Sequence, residues 1–254
     1  MLLTISSGVR PDMSPYLAEL IGTTILVLLG DGVVANVVLT KTKGNNSGWL
    51  VITAGWGFAV AVAAYCVNQF SGAHLNPAVS LAMAFLGKLP WDMLMGYIGA
   101  QLLGGIIGGI LVWITYLPHW EVTHDADAKR AVFCTAPAIR SPFSNLICEI
   151  IGSFILVLGI LAILSPKNLA PGHGWDVAFG PFLVGILVWS IGLSLGGPTG
   201  YAINPARDLG PRIAHFILPI PGKGHSDWGY AWIPVVGPLT GGILAALVYV
   251  AQWK

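Results

Sequence analysis

The chain has 254 residues, 55% of them hydrophobic and only 9% charged, with a formal net charge of +1 and a mean hydropathy of +0.76. Soluble domains carry about 25% charged residues, so this chain cannot cover a soluble surface and reads as an integral membrane protein. It has no basic run, which argues against nucleic acid as a partner.

A membrane-spanning helix needs ~20 largely apolar residues. Residues 1–15 contain Arg10, Pro11, Asp12 and Pro15 but no long apolar run. No cleavable signal peptide is expected there, and the first span itself targets the chain to the membrane. That span is predicted over 16–39 and carries Glu19 and Asp31. A loop from Lys41 to Gly48 follows, with a weak glycosylation sequon at Asn45-Asn46-Ser47. The second span is predicted over 49–70. After Ser71-Gly72-Ala73-His74-Leu75, the triplet Asn76-Pro77-Ala78 opens an apolar segment over 76–86, about half a span long. Asn is a favoured N-cap and Pro is favoured at the first helical position, so the triplet marks a helix start.

The third span, over 93–115, is rich in glycine (Gly104, Gly105, Gly108 and Gly109), which favours close helix packing. Residues 118–142 read as a linker. The fourth span, over 144–164, carries Cys148 and Glu149, and the fifth runs over 177–196. Gly196-Gly197-Pro198-Thr199-Gly200-Tyr201 then leads to a second triplet, Asn204-Pro205-Ala206, and a second half-length segment over 204–214. The sixth span covers 230–251. Non-helical backbone at membrane depth survives only where it is buried in protein or lines water, so the two glycine-rich loops are expected to border a cavity.

The two halves repeat. Glu149 follows Glu19 by 130 positions, and Asn204 follows Asn76 by 128. The segment at Gly99-Ala100-Gln101 aligns with Gly237-Pro238-Leu239. Inverted repeats are expected over roughly 16–115 and 144–251 within a single domain, since three spans per half reverse the entry side of the second half. Asp31 has no counterpart, because Leu161 stands at the matching place. It is read as lining an outer vestibule or satisfying a neighbouring helix.

Each half-helix N-terminus carries about half a positive charge. Two such ends meeting at the centre repel cations. Asn76 and Asn204 are expected to turn their side-chain N–H groups to the lumen, with their oxygens tied to backbone. A permeating hydroxyl then meets donors but few acceptors, which opposes a proton wire. The carbonyls of Gly72, Ala73 and His74, and of Gly200, Tyr201 and Ala202, are expected to supply acceptors along the wall. Glu19 and Glu149 are read as accepting from loop backbone N–H groups rather than relaying protons, and Asp208 as bracing its loop.

The remaining chemistry is sparse. Cys66, Cys134 and Cys148 form no CxxC, and Cys66 and Cys148 read as inert core residues. His119, His124, His173 and His225 fall in loops and are expected to be solvated. Tyr97, Trp113, Trp120, Trp228 and Trp232 lie near span ends and fit an interfacial aromatic belt. There is no metal-ligand cluster, phosphate loop or nucleophile–base pair, so no metal or other cofactor is implied and an enzyme is not expected.

The segments Ser71–Val79 and Gly200–Arg212, together with the six spans, resemble the aquaporin superfamily, specifically its glycerol-facilitator branch, and the match runs nearly the whole chain. Asp208 directly after Asn-Pro-Ala-Arg, with Arg212, Pro238 and Leu239, is similar to the glycerol branch. The resemblance implies an all-α fold of six transmembrane helices and two half-helices around one pore. It implies a selectivity constriction of Trp56, Gly192, Tyr201 and Arg207, where water channels place a His at the position of Gly192. It also implies a homotetramer in a bacterial-type plasma membrane and a cytoplasmic N-terminus, although the loop charges do not favour that orientation.

The function implied is passive diffusion of small uncharged solutes and water. Familiar glycerol facilitators carry Phe where this chain has Tyr201, which leaves glycerol, dihydroxyacetone, urea, hydrogen peroxide and uncharged hydroxy acids open as solutes. A water-selective channel, a proton-coupled transporter and a closed structural membrane protein are the alternatives.

Overall fold

A computed structural model describes residues 13–169 and 174–253. The N-terminal segment judged above for a signal peptide, and His173, lie outside the described residues. The described elements are helical: α1 (Pro15–Val38), α2 (Trp49–Ser71), α3 (Pro77–Phe85), α4 (Trp91–Thr115), α5 (Leu117–Val122), α6 (Ala126–Phe133), α7 (Pro142–Ile163), α8 (Trp175–Leu195), α9 (Pro205–Ile217) and α10 (Ile233–Trp253). Six of them, α1, α2, α4, α7, α8 and α10, are long and apolar enough to cross a membrane. The protein is a multi-pass integral membrane protein.

Helix α1 starts where Ser14 accepts from Leu17 N–H and Pro15 supplies the first helical position. It packs against α2 and α4, α7 packs against α8 and α10, and α2 closes against α8. The short α3 lies against α10, and the short α9 against α4. Each half-helix therefore rests mainly on a span from the other end of the chain. Large apolar side chains such as Leu50, Val62, Met95 and Ile155 are exposed on the spans. Such a surface suits lipid and would be a liability in water.

Small residues set the close approaches. A Cβ on Gly104 would lie 2.5 Å from the Leu20 carbonyl oxygen, and one on Gly108 would lie 2.7 Å from the Val27 side chain, so α4 seats directly on α1. A Cβ on Gly105 would lie 2.6 Å from the Ala206 carbonyl oxygen, so the same helix also seats the start of α9. Between α2 and α8 the pair Gly57 and Gly185 brings backbone onto backbone.

The linker over 118–142 is more ordered than the sequence reading expects. It holds α5 and α6, and Asp125 caps α6 by accepting from the N–H groups of Asp127 and Ala128. The Trp120 ring stacks on Phe133 at 5.5 Å, and both are buried. Lys129 is buried too and donates to the Pro221 carbonyl. At the far end of α9, the Lys223 ammonium donates to the carbonyls of His215, Phe216 and Leu218 at 2.6–2.8 Å. These are the orphan acceptors of a helix C-terminus, where a cation is favourable.

Three bland assignments are corrected. Tyr97 and Trp120 are buried rather than interfacial, because their polar tips are used inside the protein: Tyr97 Oη donates to the Ser71 carbonyl and Trp120 Nε1 to the Trp113 carbonyl. Cys66 is exposed on the outer face of α2, not in the core.

Candidate functional site

The two loops that precede the half-helices share an unusual backbone. Gly72, Ala73 and Leu75 have φ of +77°, +49° and +51°; Gly200, Tyr201 and Ile203 have φ of +77°, +36° and +43°. Each non-glycine residue held at positive φ costs on the order of 1–3 kcal/mol and persists only where its surroundings enforce it. Two buried carboxylates do the enforcing. Glu19 accepts from the N–H groups of His74 (2.9 Å) and Leu75 (2.6 Å), from Ser71 Oγ (2.6 Å) and from Gln101 Nε2 (2.8 Å). Glu149 accepts from the N–H groups of Ala202 (3.0 Å) and Ile203 (2.8 Å). Charge-assisted bonds of this kind are about twice as strong as neutral ones. Pulling the N–H groups to one side turns the carbonyls to the other. Among the described residues, no protein donor takes the carbonyls of Gly72, Ala73, His74, Gly200, Tyr201 or Ala202.

The half-helices begin where the triplets stand. Asn76 Oδ1 accepts from Ala78 N–H at 2.8 Å, and Asn204 Oδ1 accepts from the N–H groups of Ala206 and Arg207 at 3.0 and 3.2 Å. Pro77 and Pro205 occupy the first helical positions. The amide N–H groups differ from the sequence expectation. Asn76 Nδ2 donates to the Ile203 carbonyl at 2.8 Å, and Asn204 Nδ2 donates to the Leu75 carbonyl at 2.7 Å. One N–H of each amide is thus spent on a tie to the opposite loop, leaving one per asparagine.

A cavity of about 320 Å³ runs past these groups. Trp56, Tyr201 and Arg207 border it, as do Gly72, Ala73, His74 and Ala202, the two asparagines, and the apolar Val60, Leu156, Val184 and Val188. It extends to Leu164, Val177 and Pro181. Its lining therefore combines residues whose carbonyls have no protein donor with hydrocarbon side chains. Gly200 and Gly192 are not among its lining residues. A Cβ on Gly192 would lie 2.8 Å from Tyr201 Cζ and 2.9 Å from Thr53 Cγ2. The room left by the missing side chain is taken up by the Tyr201 ring, so Gly192 acts on the cavity only through that ring.

The Arg207 guanidinium lies over the Trp56 ring, 3.8 Å from its centroid. Trp49 meets Tyr201 edge-on at 5.8 Å and donates from Nε1 to the Gly192 carbonyl at 3.0 Å. Trp56 Nε1 and the Tyr201 hydroxyl are buried without a protein partner. Asp31, expected either to line an outer vestibule or to satisfy a neighbouring helix, is fully buried, with Oδ1 3.7 Å from Nη1 of Arg207 on α9, in keeping with the second alternative. Asp208 does not touch the cavity; it accepts from Thr135 N–H (2.8 Å), Thr135 Oγ1 (2.6 Å) and Arg212. Arg212 also donates to the carbonyls of Thr135, Ser226 and Asp227, so this pair clamps the segments around 135 and 226 onto α9.

Sequence reasoning missed Trp49 and Gln101 as supports, and the clamp around Arg212. Their partners lie 143, 82 and 77 positions away, and no local pattern announces them.

Comparison with known proteins agrees with this geometry. The family model of the major intrinsic proteins matches residues 10–249. The chain is 62% identical over 237 residues to a probable glycerol uptake facilitator protein of Thermotoga maritima, covering 93% of this chain and 98% of the relative. It is 52% identical over 242 residues to the glycerol uptake facilitator protein of Bacillus subtilis, covering 95% and 86%. The aquaglyceroporin of Plasmodium falciparum has a similar structure, with a TM-score of 0.82 and 30% identity, covering 94% of this chain and 95% of that one. Six spans, two asparagine-capped half-helices and a cavity between them accompany these matches, and the chain belongs to the major intrinsic protein family, a family of membrane channels.

Proposed function

We propose that this protein is a passive channel that carries glycerol and other small uncharged polar solutes, with water, down their gradients. The observation that carries the reading is that one cavity is bordered by Arg207, Trp56 and Tyr201 and also by both asparagines. Trp56 and Tyr201 offer a carbon backbone an apolar corner. Arg207, which borders the cavity, offers donors to its hydroxyls. The free carbonyls of Gly72, Ala73, His74, Tyr201 and Ala202 accept from those hydroxyls as the solute advances. Asn76 and Asn204, each with one N–H left, donate at the centre, where the two helix N-termini oppose cations and break a proton wire.

In this reading Glu19 and Glu149 are structural. Each accepts from two backbone N–H groups of its own loop, which favours a channel over proton-coupled transport. Dihydroxyacetone, urea, hydrogen peroxide and uncharged hydroxy acids belong to the same solute class. Inverted repeats over 16–115 and 144–251 account for the matching roles of the two glutamates and the two triplets, and a homotetramer is the expected assembly. No enzymatic step is assigned.

The test is stopped-flow light scattering of proteoliposomes after a glycerol jump. A channel gives downhill flux that does not saturate and is indifferent to a pH gradient. Uphill accumulation driven by protons would exclude the reading, as would the absence of any solute flux.

A further inference from the structure

Among the described residues, Asp31 is a buried carboxylate near the cavity to which neither the solute pathway nor the loop supports give a role. It is fully buried on α1, and neither of its oxygens has a hydrogen-bond partner. It does not border the cavity, whereas Arg207, 3.7 Å away, does. Arg207 is itself nearly buried, lies over Trp56, and among the described residues its guanidinium has no hydrogen bond to protein. The two side chains therefore depend on each other: a buried carboxylate without donors is costly unless a cation neutralises it. The neighbouring position completes the device. Gly30 has no side chain, and a Cβ there would lie 2.2–2.4 Å from three atoms of the Trp56 ring, so α1 approaches the ring closely enough to set Asp31 beside the guanidinium that covers it.

We propose that Asp31 is a positioning residue for Arg207 and the counter-charge of the constriction. It holds the guanidinium over Trp56 and cancels most of its field, so that the narrow end offers hydrogen-bond donors without the net charge of a cation. Opposed helix N-termini already make the cavity positive. An uncompensated arginine in the same low-dielectric space would draw small anions into the constriction, where they would compete with neutral solutes. With Asp31 in place, neutral polyols pass and anions gain little.

This inference rests on the cavity being the solute pathway. Glycerol flux of the wild-type protein is therefore measured first in proteoliposomes, because its absence sinks the channel reading itself. Asp31→Asn is then compared with wild type in sodium gluconate and in sodium nitrate, gluconate being too large to enter. The wild-type flux is expected to be equal in the two salts. In Asp31→Asn the flux falls about tenfold, a loss equivalent to about 1.4 kcal/mol, and nitrate lowers it further.

Removing the cation as well, in Asp31→Asn/Arg207→Gln, abolishes the nitrate effect. If Asp31→Asn alone is not recovered folded, the double variant is expected to fold, since it leaves no lone buried charge. Three results would each overturn the proposal: wild-type flux and no nitrate sensitivity in Asp31→Asn, a loss of flux equal in both salts, or failure of both variants to fold. The second of these would make Asp31 a packing residue only.

Discussion

The ring of Tyr201 stands in the space that a side chain on residue 192 would need, with Cζ 2.8 Å from the place of that missing Cβ. In the proposed channel, the room beside the cavity at Tyr201 is therefore set by a pair from two elements: a glycine on α8 and a tyrosine in the loop before α9. Gly192→Ala is expected to push the ring toward the lumen, because Thr53 blocks the other side at 2.9 Å. Overpacking of this kind costs about 1–3 kcal/mol. Glycerol flux should fall more than water flux, and equal losses of both would contradict this account of the opening.

The Tyr201 hydroxyl is buried without a partner, so Tyr201→Phe removes an unpaired polar group and leaves no new one behind. Thermal stability in detergent should be unchanged or slightly higher. The ratio of glycerol to urea flux should change, since Tyr201 borders the cavity and its side chain becomes smaller and less polar. A panel of solutes whose relative rates are all unaltered would remove the hydroxyl from solute selection.

Asn76 and Asn204 each tie the opposite loop to their own half-helix, at 2.8 and 2.7 Å. Replacing either by Asp preserves the cap but puts an acceptor against the Ile203 or Leu75 carbonyl. Each loss is expected to cost about 1–3 kcal/mol for the buried groups left unpaired. The added negative charge at the centre also weakens cation exclusion. Proton or sodium leak through Asn204→Asp liposomes, measured with a pH-sensitive or sodium-sensitive dye, should exceed the wild-type leak.

Glu149→Gln keeps the shape of the side chain but turns one acceptor into a donor facing Ala202 or Ile203 N–H. The loop held at positive φ loses half its restraint. Lower unfolding temperature together with reduced flux is expected, and the same for Glu19→Gln at His74 and Leu75. If these residues instead relayed protons, flux would become insensitive to a pH gradient only in the variants, and stability would be preserved.

Much of this architecture is legible in the chain. The six spans and the two half-helices are visible because membrane residence demands long apolar runs, and because Asn followed by Pro is a strong helix start wherever it occurs. The small helices α5 and α6 are not, since their short length and mixed composition resemble a loop until Trp120 and Phe133 are seen stacked beneath them. Trp56 has the look of ordinary core and enters the constriction only by resemblance. The supports from Trp49, Gln101 and Arg212 depend on partners from distant segments.

The chain by itself determined that this is a membrane protein, where its backbone turns helical and where two half-spans begin, because hydropathy and capping are local properties of neighbouring residues. Tertiary structure alone decided that Tyr201 fills the room beside Gly192, that each asparagine reaches across to the other loop, and that Asp31 sits against Arg207 rather than at a vestibule. Those facts depend on how closely helices approach and which buried charge finds which, and both are settled only when distant segments compete for the same few ångströms of space.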